Sequence, residues 1–131
     1  MIVSDTLNAI IGFVKVITII WFIDHWIACI FYAIGASELE SEPLNWITQS
    51  GIADAGVWDK YFTSLYWALT TTTTVGYGDI SPNTKNEKLF AMLGMILACG
   101  VFAFVIGSIE TILQKSNHSH AKCKEKILHV N

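Results

Sequence analysis

The sequence predicts an all-α membrane protein in which two helices cross the bilayer and a shorter, re-entrant helix between them enters and leaves on one side. Three observations carry that prediction. Leu89 to Ile109 is a run of 21 residues without a charge, Ile10 to Ile34 is a second long apolar stretch, and the hydroxyl-rich segment Tyr61 to Thr73 has only 13 residues. A helix needs about 20 apolar residues to span the hydrocarbon core, so the first two can cross and the third cannot. Composition agrees: 53% of the 131 residues are apolar and 15% charged, a shift away from ordinary soluble domains and within the size of one domain.

The N-terminus, MIVSDTLNAI, lacks the basic lead and small-residue cleavage site of a signal peptide. In the first long stretch Lys15, Asp24 and His25 leave uncharged runs of 8 residues (Val16 to Ile23) and 12 residues (Trp26 to Ser37). Intramembrane charges face protein or water rather than lipid. The Asp24-His25 corner is therefore expected to meet a neighbouring helix as a satisfied pair, and Lys15 to snorkel to the cytoplasmic interface.

Ser37 to Val57 holds Glu38, Glu40, Glu42 and Asp54 and no lysine, which reads as a solvated acidic turret. Tyr61 to Thr73 then has to enter the membrane and hand over to non-helical backbone. Such backbone survives at membrane depth only when it is buried in protein or lines a wet cavity. After the Ser81-Pro82 turn, Thr84 and Glu87 form the T-x-x-E pattern of a capping box that starts the second spanning helix. Its glycines Gly94, Gly100 and Gly107 suit close helix packing, with Gly100 and Gly107 as candidate hinges.

The tail after Gln114 carries Lys115, Lys122, Lys124 and Lys126 against Glu125. The positive-inside rule puts it in the cytoplasm, and two spans return the N-terminus to the same side. The sequon at Asn117 then lies on the wrong side for glycosylation. No arginine occurs anywhere, so a voltage-sensing arginine ladder is absent from this stretch. Cys29, Cys99 and Cys123 are scattered and make no disulfide framework, Cys29 and Cys99 reading as packing residues. His118, His120, Cys123 and His129 match no standard zinc spacing and read as part of a polar helix. No nucleophile with its base, phosphate loop or nucleic-acid patch stands out, which argues against an enzyme and against a nucleic-acid partner.

The most specific motif is "TTTTTVGYGD", Thr70 to Asp79. Thr74-Val75-Gly76-Tyr77-Gly78 spells the potassium-channel selectivity filter, whose carbonyl oxygens replace the hydration shell of an ion. Turning successive carbonyls to one axis requires alternation with left-handed backbone, which glycine adopts cheaply at Gly76 and Gly78. Thr74 would add a hydroxyl oxygen below the carbonyls, while Val75 and Tyr77 wedge the loop against its surroundings. The preceding helix aims its carbonyl end at the membrane centre, where its dipole favours a cation.

With that filter between two spans, the chain resembles the pore module of a tetrameric potassium channel. "DHWIACIFYAIG" (Asp24 to Gly35), "SPNTKNEKLF" (Ser81 to Phe90) and "FVIGSIETILQ" (Phe104 to Gln114) are similar to the ether-à-go-go, plant potassium-channel and cyclic-nucleotide-regulated branch of the voltage-gated-like superfamily. The resemblance divides the chain into an outer helix at about 8–36, a turret at 37–58, pore helix and filter at 59–79, an inner helix at 84–114 and a cytoplasmic tail at 115–131. It implies a homotetramer in a lipid membrane, the plasma membrane, conducting potassium ions passively with no cofactor. It also implies K+ at Thr74, Val75, Gly76 and Tyr77, filter support from Tyr66, Trp67, Thr71 and Asp79, and pore-lining positions at Phe102, Ile106 and Glu110. Those last three share a helix face at i, i+4 spacing, with Phe102 and Ile106 suited to a hydrophobic gate and Glu110 to a ring of carboxylates.

Branch members carry four preceding helices and a following nucleotide-binding domain. The sequence is thus expected to be a fragment with voltage-sensor and cyclic-nucleotide-binding domains in a longer native chain, or an engineered or minimal pore. Two alternatives stand beside a selective potassium pore: a weakly selective sodium and potassium channel of the hyperpolarization-activated or cyclic-nucleotide-regulated type, and a non-conducting regulatory subunit.

Overall fold

The computed structural model describes residues 2–129, with side chains described for 6–118, 120–122, 124 and 125. Among the described residues there are four helices and no strand. They are α1 (Ile2–Ser37), α2 (Trp46–Gln49), α3 (Val57–Thr72) and α4 (Lys85–His129). Both α1 and α4 are long and apolar enough to cross a membrane.

α1 begins before the expected start at about residue 8. α4 continues well past the expected end at 114, so the basic stretch prolongs the helix instead of leaving it. The cause is local: after Gly107 there is no glycine or proline to stop it, and lysine, alanine, glutamate and leucine are good helix formers. At 1.5 Å per residue its 45 residues run about 68 Å, roughly twice the hydrocarbon thickness.

The contacts form two units. One is Trp21–Phe102, and the other joins the remaining parts of α1 and α4. In the second unit Gly12 lets Ile112 approach so closely that a Cβ there would lie 2.9 Å from its Cδ1.

The first unit holds the core. Phe31 of α1 is fully buried and sandwiched between two indoles, Trp46 of α2 at 4.7 Å and Trp67 of α3 at 3.9 Å between ring centroids. Ile27, Ala28, Ile47, Leu65, Ala68 and Ala91 close around the stack. Without a strong hydrophobic drive between helices in lipid, aromatic stacking and hydrogen bonds have to hold such a cluster. Trp46 supplies both, because its indole N–H also donates to the Phe31 carbonyl at 3.2 Å.

Caps fix the ends. Asn45 starts α2 by accepting from the amides of Ile47 and Thr48, each at 3.0 Å. The capping box of α4 forms: the Glu87 amide donates to Thr84 Oγ1 at 3.2 Å while Glu87 Oε2 accepts from the amides of Thr84 at 3.1 Å and Asn83 at 2.8 Å. Glu87 does more than cap. Its Oε1 accepts the Trp46 amide at 3.1 Å, which fastens α2 to the start of α4.

Glu38 departs from the solvated-turret expectation. It is buried, and it accepts from the Thr84 hydroxyl and from Asn86 Nδ2 at 2.6 Å. A buried carboxylate needs such donors, so this acid joins the end of α1 to the first turn of α4. Glu40, Glu42 and Asp54 remain exposed.

The Asp24-His25 corner does meet a neighbouring helix, but its two residues part company there. Asp24 accepts from the Thr72 hydroxyl of α3 at 2.6 Å, and His25 Nδ1 shares a 2.8 Å hydrogen bond with the Tyr61 hydroxyl. Asp24 is fully buried and its Oδ2 has no partner among the described residues.

Candidate functional site

α3 starts at Gly56 without a side-chain cap, with Asp59 in its first turn where the helix dipole favours an acid. It ends in the run of threonines. Thr70 and Thr71 return their hydroxyls to the Trp67 carbonyl at 3.0 and 2.8 Å, and Thr73 returns its hydroxyl to Leu69 at 2.6 Å. Such back-bonding weakens and bends a helix. Thr72 alone among these four sends its hydroxyl out of the helix, to Asp24.

Beyond α3 the backbone alternates in hand. Thr74, Gly76 and Gly78 have φ of 63°, 56° and 77°, whereas Val75 and Tyr77 between them stay at negative φ. The glycines behave as the spelling predicts. Thr74 does not follow from residue type, since a β-branched residue at positive φ costs about 1–3 kcal/mol and must be held in place. Three backbone bonds hold it: Thr74 N–H to the Thr71 carbonyl at 3.1 Å, and the amides of Val75 and Gly76 both to the Thr70 carbonyl, at 2.9 and 3.0 Å. The last turn of α3 thus fixes the start of the segment.

The far end is tied back by Tyr66, which donates to Asp79 Oδ2 at 2.9 Å and stacks parallel to Tyr77 with centroids 6.5 Å apart. Tyr66→Phe keeps the ring and drops the bond to Asp79. It is expected to raise amide exchange at Gly78 and Asp79 severalfold with little change in melting temperature, and unchanged exchange would show that Asp79 is held elsewhere.

Trp67 is buried in the stack on Phe31. The Thr71 side chain stays on its own helix, and its contribution to the segment is the carbonyl that accepts from Thr74. A cleft of about 280 Å³ lies beside the segment, lined by Thr70, Thr71, Thr74 and Gly76 and by Met95, Ala98 and Cys99 of α4. Cys99 is exposed rather than packed, and Cys29 is half-buried beside His25.

Further along α4, Phe102, Ile106 and Glu110 are all exposed, and Glu110 accepts from Gln114 of its own helix at 3.1 Å. A Cβ on Gly100 or Gly107 would meet nothing within 4 Å. Of the histidine and cysteine set in the tail, the side chains of Cys123 and His129 lie outside the described residues. Among the described residues no group of three His, Cys, Asp or Glu is placed to hold a metal ion.

A strained, alternating backbone carried on a short helix between two apolar ones fits ion handling, and comparison with known proteins agrees. The model of the ion transport protein family matches residues 3–120. The chain belongs to the ion transport protein family.

This ion transport chain is 32% identical over 121 residues to the voltage-gated inwardly rectifying potassium channel KCNH2 of Sus scrofa, covering 82% of the chain and 10% of that protein. It is 33% identical over 123 residues to KCNH6 of Homo sapiens, a channel of the same description, covering 82% and 13%. With the potassium voltage-gated channel unc-103 of Caenorhabditis elegans the identity is 36% over 108 residues, covering 71% and 13%. The chain spans about a tenth of the length of the curated relatives it matches. The resemblance to the ether-à-go-go branch therefore holds. Family and two apolar helices together make this an integral membrane protein and an ion transport chain rather than an enzyme.

Proposed function

We propose that four copies of this chain surround a potassium-selective pore, with Thr74, Val75, Gly76, Tyr77 and Gly78 as the filter. The observation that carries this reading is the alternation of left-handed backbone at Thr74, Gly76 and Gly78. Residues of alternating hand turn successive carbonyls to one side, and four such strands make the rings of oxygens that replace a potassium ion's water. One chain supplies only a quarter of each ring, and residues 73–79 are all exposed in the single chain. The apolar side chains of α1 and α4 left exposed, among them Trp26, Ile96 and Leu97, suit lipid and neighbouring subunits.

In this reading α3 is a re-entrant pore helix, its 16 residues giving about 24 Å of helix before the filter leads back out. Its carbonyl end favours a cation below the filter. Phe102 and Ile106 narrow the inner pore, and Glu110 adds carboxylates at the inner mouth. Potassium is the permeant ion and no cofactor takes part. The basic end of α4 faces the cytoplasm, as does the N-terminus, and the membrane is the plasma membrane. A longer native chain would add the voltage-sensing and nucleotide-binding parts implied by the resemblance.

The test is potassium against sodium flux through the purified chain in liposomes, with barium as blocker. Barium-sensitive potassium flux with little sodium is the expected result. Equal fluxes would overturn selectivity, and tetramers without flux would favour a non-conducting subunit.

A further inference from the structure

We propose that Asp24 is a positioning residue for the filter: from the outer helix, it holds the Thr72 hydroxyl and so fixes the turn of α3 from which the filter backbone hangs. The inference rests on reading Thr74 to Gly78 as that filter.

Asp24 is fully buried in the middle of a spanning helix, and Thr72 is 4% exposed. A carboxyl group in such a place is costly unless donors compensate it. It has one donor among the described residues, the Thr72 hydroxyl at 2.6 Å on Oδ1, while Oδ2 has none. An apolar pair would fill the same space without that cost, so packing alone does not account for the carboxyl.

The position of its partner does. Thr72 is the last residue of α3, two before the left-handed Thr74. The Thr70 carbonyl in the same turn accepts both the Val75 and Gly76 amides. Rotating that turn moves the acceptor and with it the first carbonyls of the filter. The hydroxyls of Thr70, Thr71 and Thr73 bond back into α3 and cannot resist such a rotation. Thr72 can, because its bond ends on another helix 48 residues away in sequence.

The full chain tests this in two variants that separate positioning from folding. Asp24→Asn keeps the Oδ1 acceptor and alters only the oxygen that has no partner among the described residues. The double variant Asp24→Leu with Thr72→Val replaces both partners by apolar groups, a change that leaves a buried site nearly as stable. Two readouts apply: hydrogen exchange at the Val75 and Gly76 amides, and relative sodium permeability from reversal potentials. Asp24→Asn is expected to match the parent chain in both. The double variant is expected to assemble yet lose exchange protection by about fivefold, the equilibrium weight of one ordinary hydrogen bond, and to admit more sodium.

An assembled double variant with parental protection and selectivity would overturn the proposal, as would Asp24→Asn behaving like the double variant. If the double variant does not assemble, Thr72→Ser and Thr72→Val decide the matter, since only the first keeps the hydroxyl. Equal protection in those two overturns it, and loss confined to Thr72→Val supports it. A parent chain that passes no potassium would sink the channel reading alone, because amide exchange reports the Asp24-Thr72 link without any current.

Discussion

Gly35→Ala is expected to break the core around Trp46 and to lower the stability of the fold sharply. A Cβ at residue 35 would stand 2.2 Å from Trp46 Nε1, 2.7 Å from its Cδ1 and 3.1 Å from Ile47 Cδ1. The two nearest atoms belong to a rigid indole ring, and Trp46 and Ile47 are both fully buried. The indole is also committed on its other sides, by the stack on Phe31 and the bond from Nε1 to the Phe31 carbonyl. Making room for one methyl group therefore shifts a tryptophan and strands a buried N–H. Overpacking costs about 1–3 kcal/mol and an unpaired buried donor about as much again. A loss of that size lowers the melting temperature by roughly 10 °C or more. Thermal unfolding of the purified chain measures it, and a melting temperature unchanged from the parent would show that α2 packs elsewhere. Trp46→Phe in the Gly35→Ala background should recover part of the loss, because phenylalanine has no Nε1 to collide or to strand.

Where an element depends on local chemistry, its residues announce it. The apolar run from Leu89 to Ile109 and the Thr84-Glu87 pattern anticipate α4 and its cap, because span length and reciprocal capping act within a few residues of chain. Gly76 and Gly78 likewise anticipate positive φ. Features set by contacts distant in sequence stayed hidden. Glu38 reads as one of several turret acids until its donors on α4 are known. Thr72 looks like its threonine neighbours, and only the approach of α1 singles it out. Thr74 sits in a conformation its residue type disfavours, imposed by amides that converge on Thr70. The aromatic residues Tyr66 and Trp67 were legible as a pair but not as a division of labour. Adjacent residues of a helix point about 100° apart, so one reaches Asp79 and the other the core.

Gly76→Ala should leave the fold intact and abolish selective conduction, the opposite signature from Gly35→Ala. A Cβ on Gly76 would meet nothing within 4 Å, and the residue lies outside the core cluster. No clash distinguishes alanine from glycine in the single chain, so the cost is purely conformational. At φ 56° an L residue is disfavoured. The penalty is about 1–2 kcal/mol per residue, or about 4–8 kcal/mol around the proposed pore of four chains. Thr74 already bears a penalty of the same kind two residues earlier, and its three backbone bonds are what hold it there. Gly76 has one bond of that set, its amide to Thr70, so an alanine there has less to keep it left-handed. Relaxing to negative φ would turn neighbouring carbonyls off the common axis and open the cage to water. The expected outcome is a melting temperature within a few degrees of the parent, with barium-sensitive potassium flux reduced more than tenfold. Gly94→Ala, in the interior of α4 with equally open space, serves as the control for adding a methyl group without a conformational cost. If Gly76→Ala conducts potassium selectively, the left-handed alternation is not what makes the filter, and the potassium-pore reading loses the observation that carries it.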